Sequence, residues 1–474
     1  MKFAVFTLIV LSVGFLKNCN SDKRQEFAGD YKELLKKIFN ITKTDMDRSC
    51  DKSTEENTRT ANIGRALMDI SNVNQSKNPP KPDDYTYERK VIQAALPCAK
   101  GDEVDKKNDV VEDYGYPFKI YNVETEDGYI LQIHNIPFGR NVLKGSPKNN
   151  KPVVLVMHGN LGSSADWVVT GPSNGLAFLL ADSGYDVWLG NNRGNTYSKN
   201  HTMFLETSYG FWDFSWHEMG IYDLPAMIDF ILQITGQKQL FYIGYSQGGT
   251  QFFVMNSMKP EYNDKIRLGV TFAPAVFLGN TKGAINLLSK LSYPIGKFFE
   301  SVGHVEVLPA SPLLRVFTKK FCEDISFTKP LCFMVISSVS GQDGAGQNTT
   351  ILAGLLPYFP AGCSTKQLLH FGFGFENPNT FRQYDYGVAK NLLKYKSVTP
   401  PEYPLEKVTV PVAIYHGTND FLVDPKDIAL LENKLKNIVR VSICNASLNH
   451  FDFNYGSNIR MEAYNDALKL MEGY

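Results

Sequence analysis

The sequence predicts an α/β fold, with a mostly parallel sheet, helices on both faces and an inserted cap. Three observations predict it. Short apolar runs alternate with segments of helical periodicity from about residue 116 onward. The run LFYIGYS (240–246) passes straight into GYSQG, a serine between glycines ahead of the helix-like TQFFVMNSM. The alternation then fails between Val276 and about Thr399 and resumes at 411.

The elements follow in order. FKIYNVET and YILQIHNI flank Glu126-Asp127-Gly128, which reads as a hairpin. KPVVLVMHG (151–159) and YDVWLGNNRG (185–194) are apolar strands ending in glycine. LFYIGYS and RLGVTFAPA (267–275) continue the series, and PVAIYHGTND (411–420) and IVRVSIC (438–444) close it. Continuous apolar strands of this kind suit a sheet covered on both faces. SNGLAFLLADSG (173–184) and EMGIYDLPAMIDFILQITG (218–236) carry apolar residues three and four apart, with Gly184 and Gly236 as stops. The stretch from 276 to 400 holds aromatics, short helical pieces and glycine-rich segments such as FGFGFEN (371–377), and is expected to be a cap or lid. The expected division is therefore a core over 108–275, a cap over 276–400 and a second core part over 401–474.

The first 107 residues read differently. MKFAVFTLIVLSVGFLKNCN has a basic start and an apolar stretch of residues 3–16, which predicts a signal peptide over 1–19 rather than a membrane anchor. A bilayer span needs about 20 apolar residues. Residues 20–107 are charged and weakly periodic, with Pro79, Pro80 and Pro82 breaking the middle, and are expected to form a flexible extension or pro-segment. Five acceptor sequons, at Asn40, Asn74, Asn200, Asn348 and Asn445, agree with a secreted or lysosomal route. Of seven cysteines, Cys19 sits at the edge of the leader, and Cys322 and Cys332 are close enough to form a short disulfide loop. The pairing of Cys50, Cys98, Cys363 and Cys444 is left open by their spacing.

With 49 basic and 49 acidic residues the chain has no net charge, which gives no electrostatic case for nucleic acid. No Cys/His spacing reads as a metal site, and the chemistry below calls for no cofactor.

Gly244-Tyr-Ser-Gln-Gly248 fits G-x-S-x-G in the strand–turn–helix context of a nucleophile elbow. A serine hydroxyl needs a base within hydrogen-bond reach, and the base needs an acid to fix its tautomer. In this architecture the chain order is Ser, then Asp or Glu, then His. His450, in SLNHFDF after the last strand, is the candidate base, and Asp420, ending HGTND, the candidate acid. Asp424 reads better as a helix N-cap before Pro425, Asp452 is too near His450 in sequence, and His416 precedes Asp420. The oxyanion donors would be the backbone N–H of Gln247 and of Asn160, in the loop His158-Gly159-Asn160-Leu161-Gly162. Gly159 allows close approach there, and His158 is expected to shape the loop.

The segments TEDGYIL, VMHGNLGSSADW, LAFLLADSGYDVWLGNNRGNTYSKNH, FWDFSWHEMGIYDLPAMIDFI, TGQKQLFYIGYSQGGT and NASLNHFDF resemble the acid lipase family, which includes lysosomal acid lipase and gastric lipase, from about residue 110 to the C-terminus. The resemblance implies an α/β-hydrolase fold with a cap inserted before the acid. It places the nucleophile, acid and base on Ser246, Asp420 and His450, the oxyanion donors on Asn160 and Gln247, and a cap disulfide on Cys322 and Cys332. It implies neutral lipid esters as substrates, triacylglycerols and in some members cholesteryl esters. The cap is expected to bury the acyl chain, with LLPYFPAG (355–362) and FGFGF (371–375) supplying apolar surface. Most of these side chains are expected to be cap core, and a minority, exposed when a lid opens, to meet a lipid-droplet or membrane interface transiently. The chain departs from the family at Tyr245, where His is usual, at Asn160, where Leu is usual, and at Gly249, where the family has Thr. The alternatives are an esterase for small soluble esters and a non-catalytic lipid-binding relative.

Overall fold

The computed structural model describes residues 109–141, 151–283, 303–309, 340–341, 355, 358–444 and 447–474. The signal peptide, the extension over 20–107, Cys322, Cys332 and the sequons at Asn40, Asn74, Asn348 and Asn445 lie outside the described residues.

A nine-stranded sheet organises the rest. β1 (Lys119–Glu124) and β2 (Tyr129–Ile136) form the expected antiparallel hairpin around Gly128. β3 (Val153–Met157), β4 (Asp186–Leu189), the short β5 (Asn200–His201), β6 (Leu240–Tyr245) and β7 (Ile266–Phe272) follow. β8 (Glu306–Val307) and β9 (Cys363–Ser364) pair separately, and β10 (Val412–His416) and β11 (Ile438–Ile443) complete the large sheet. Its order is β1-β2-β4-β3-β6-β7-β10-β11, with β5 on β2, and every pair from β4 through β11 is parallel. β3 and β6 are buried along their whole length, as strands with helices on both faces must be. β1 and β11, at the two edges, are mostly exposed or half-buried.

Helices connect and flank the strands. α1 (Leu176–Asp182) ends before Gly184 at φ 94°, and α2 (Leu224–Thr235) stops at Gly236, the stop expected from the sequence, in a left-handed cap at φ 68°. A capping box of Ser215 and Glu218 starts the helical path into α2, which passes through a π turn at Met219–Asp223. α3 (Gln247–Met258) follows β6 directly. α4 (Thr365–Glu376) runs through FGFGFE, so this glycine-rich segment is helical. Leu369, His370 and Phe371 are all buried, and that packing outweighs the roughly 1 kcal/mol that each helical glycine costs. α5 (Val388–Tyr395) and α6 (Pro425–Lys434) come next, α6 being capped by Asp424 through the N–H of Lys426. Between β7 and β10, no described residue adds a strand to the large sheet.

Beside the sheet, Arg193 is buried between two carboxylates. Its guanidinium meets Asp223 at 2.6 Å and Asp127 at 2.5 Å and stacks 3.9 Å over the Tyr129 ring. The trio ties the β1–β2 turn to the loop after β4 and the start of α2.

Candidate active site

All three candidate residues sit at the carboxyl ends of parallel strands, where sites of open α/β sheets collect. Ser246 is the single residue between β6 and α3. Its φ of 51° is one that side chains seldom adopt, and the turn is held by its N–H donating to Phe272 O at 2.9 Å and its own carbonyl accepting from Gly249 N at 2.9 Å. The flanking glycine is required by space: a Cβ on Gly248 would lie 2.5 Å from the carbonyl oxygen of Met157.

Asp420 follows β10 and is fully buried. Its Oδ1 accepts from the N–H groups of Leu422 and Val423, each at 2.8 Å. Its Oδ2 lies 2.7 Å from His450 Nδ1, and His450 Nε2 lies 2.9 Å from Ser246 Oγ. With Nδ1 protonated toward the carboxylate, Nε2 is left as the acceptor for the serine proton. The structure thus brings together the three residues the sequence selected. The competitors are placed elsewhere: Asp424 caps α6, Asp452 accepts from Asn449 N at 2.8 Å, and His416 ends β10 while Asp420 is held by His450.

The base loop is fixed by groups that carry no sequence signature. The Tyr245 hydroxyl donates to His450 O at 2.8 Å. Burial pushes that phenol well above its ordinary pKa, so it remains a neutral donor. The carbonyl of Ser340 accepts from His450 N at 3.0 Å and from Phe421 N at 3.2 Å, joining the base loop to the acid loop.

The loop after β3 borders the serine because Met157 pairs with Gly244 in the β3–β6 ladder. A Cβ at Gly159 would lie 2.9 Å from the Tyr245 ring and 3.3 Å from Ser246 Cβ, so only glycine permits this approach. His158 Nδ1 bonds Gly159 O at 2.7 Å, and its Nε2 accepts from Asn192 N at 3.2 Å. Burial lowers its pKa to about 4 and keeps it neutral, in line with a loop-shaping role. Ala361 N donates to Leu161 O at 2.7 Å, anchoring the loop from outside the core sheet. Among the backbone hydrogen bonds between the turns and loops of the described residues, none uses the N–H of Asn160 or Gln247. Gln247 is the first residue of α3, whose leading N–H groups have no partner within the helix. Downstream, Asp166 closes a capping box on Ser163, and burial raises its pKa to about 7.

Cys363 and Cys444 are buried free thiols. Asn200, the one sequon asparagine among the described residues, is exposed on β5.

The sheet order and the strained turn at Ser246 define an α/β hydrolase. Residues 108–171 match the family described as partial alpha/beta-hydrolase lipase region, and residues 152–288 match alpha/beta hydrolase fold. The chain is 39% identical to Lipase 3 of Drosophila melanogaster over 77% of this chain and 92% of that protein. It is 38% identical to Lipase member K of Homo sapiens (77% and 90% covered) and 38% identical to gastric triacylglycerol lipase of Bos taurus (76% and 89% covered). The chain belongs to the acid lipase family of α/β hydrolases.

Proposed function

We propose that this protein hydrolyses carboxylic esters of neutral lipids, triacylglycerols and steryl esters as a class, through a serine acyl-enzyme. The observation that carries the reading is the continuous chain Ser246–His450–Asp420 at 2.9 and 2.7 Å.

In the first step His450 Nε2 takes the Ser246 proton as Oγ attacks the ester carbonyl. Asp420 holds the imidazole in that tautomer and stabilises the imidazolium. Charge developing on the carbonyl oxygen is received by the N–H groups of Asn160 and Gln247, each donor contributing about 3 kcal/mol. His450 then protonates the departing alcohol, a carbon–oxygen bond breaks, and the acyl group stays on Ser246. Water, deprotonated by His450, attacks the acyl-enzyme and releases the fatty acid.

Transient contact with a lipid interface is supported by exposed apolar side chains on two segments. Met203 and Leu205 are 77% and 75% exposed beside Phe204 and Tyr209, and α5 presents Val388 and Leu393 at 62% and 76%. A secreted or lysosomal location is supported by the N-terminal leader pattern and by the exposure of Asn200. No described helix is long and apolar enough to cross a membrane.

The test is fatty-acid release from emulsified triolein and from a short soluble ester, by wild type and Ser246→Ala, over about pH 4 to pH 8, because a general base must be neutral to accept the proton. Triolein turnover abolished in the variant is the expected result. Turnover of the short ester alone moves the assignment to a soluble-ester esterase, and lipid binding without turnover by either protein moves it to a carrier.

A further inference from the structure

The two residues proposed to receive the oxyanion are joined by a third side chain. Gln367, in the first turn of α4, donates from Nε2 to Asn160 Oδ1 at 2.7 Å and to Gln247 Oε1 at 2.6 Å. Gln367 and Gln247 are buried, and Gln247 Nε2 rests on Met219 Sδ at 3.3 Å. The other end of the Gln367 amide, Oε1, is buried without a hydrogen-bond partner. Leaving a buried acceptor unpaired is unfavourable, so the two hydrogen bonds from Nε2 are what hold the Gln367 amide in this orientation.

α4 is a firm base for this bridge. Ser364 Oγ, at its N-cap, donates to Trp212 O at 2.6 Å, Lys366 Nζ pairs with Asp213 at 2.8 Å, and His370 stacks 3.5 Å from Trp216. The start of α4 is thus fastened to residues 212–216, and Gln367 projects from a fixed point. A leucine at 160 would offer no acceptor, so the bridge depends on the asparagine there.

We infer that Gln367 is a positioning residue for the oxyanion pocket. Its amide spans Asn160 and Gln247 and sets the separation of the two backbone N–H groups that meet the developing negative charge. The inference rests on the oxyanion reading proposed above. Small errors in the placement of such donors are costly in rate, because their value lies in being fixed before the reaction.

The experiment uses the full chain and a double-mutant cycle of Gln367→Met and Asn160→Leu. It measures kcat and KM on p-nitrophenyl butyrate, affinity for an alkyl trifluoromethyl ketone that forms a tetrahedral serine adduct, and Tm. Gln367→Met is expected to lower kcat about tenfold, less than the hundredfold or more lost with a donor itself. KM should stay within about twofold, adduct affinity should fall in step with kcat, and the cost should shrink in the Asn160→Leu background. Unchanged kcat and adduct affinity in folded Gln367→Met, or an equal cost in both backgrounds, overturns the inference. If Gln367→Met does not fold, Gln367→Asn, one methylene too short to span both acceptors, takes its place in the cycle. Ser246→Ala separates the two levels: turnover surviving in that variant overturns the site reading and the bridge with it, whereas an inactive Ser246→Ala beside an unaffected Gln367→Met removes the bridge alone.

Discussion

The hydroxyl of Tyr245 holds the carbonyl of His450 at 2.8 Å, so the residue before the candidate nucleophile fixes the backbone of the candidate base. Their rings lie 5.2 Å apart. Tyr245→Phe keeps the ring and removes only the donor. A net hydrogen bond of about 1 kcal/mol corresponds to roughly a fivefold effect, so kcat should fall about fivefold with KM nearly constant. Steady-state kinetics on a soluble ester check this, and an unchanged kcat would show that the loop holds His450 without help.

Asp420→Asn should be more severe. The two N–H groups of Leu422 and Val423 select the amide oxygen for the Oδ1 position, which turns the NH₂ toward His450 Nδ1. Nδ1 must then accept, Nε2 carries the proton, and the serine loses its base. The expected loss in kcat is about ten-thousandfold with the fold intact. A loss of tenfold or less in a well-folded variant would count against Asp420 as the orienting acid.

Asp166 links stability to acidity. Burial raises its folded pKa to about 7, above the ordinary carboxyl value of 3.8. The folded state therefore keeps a proton that the unfolded chain gives up between those values. The resulting stabilisation is fully present below pH ~4 and is lost as pH rises through about 7, with a ceiling on the order of 4 kcal/mol. Asp166→Asn mimics the protonated form, so its Tm should match wild type near pH 4 and exceed it increasingly toward pH 8. Parallel Tm-versus-pH curves for the two proteins would refute this.

The buried Arg193 cluster predicts a stability effect. Asp223→Ala leaves the guanidinium buried with only the partly exposed Asp127 for charge, since the side chains of Asp223 and Arg193 are 0% and 1% exposed. Breaking a buried pair on one side costs about 3–5 kcal/mol. Thermal melting of Asp223→Ala should show a clear drop, and a Tm within a degree of wild type would mean that water or Asp127 compensates.

Much of the core was legible in the sequence because the parallel strands are continuous apolar runs and the candidate residues occupy their ends. Ser246, Asp420 and His450 could be selected by chain order and loop position, and Asp424 could be set aside because proline follows it. Gln367 could not be found this way. It lies 207 residues from Asn160 and 120 from Gln247, and a glutamine in the first turn of a helix carries no pattern. Ser340 acts through a backbone carbonyl, a group that every residue has. That FGFGFE is helical was not legible either, because glycine locally disfavours helix while the burial of Leu369, His370 and Phe371 decides otherwise.

The Ser340 carbonyl makes the order of synthesis matter. Residue 340 leaves the ribosome ahead of both loops that it joins, through Phe421 and His450. The two loops therefore find their register against a segment that is already made, and maturation of the catalytic centre becomes a test of whether the chain between the two halves of the sheet has docked.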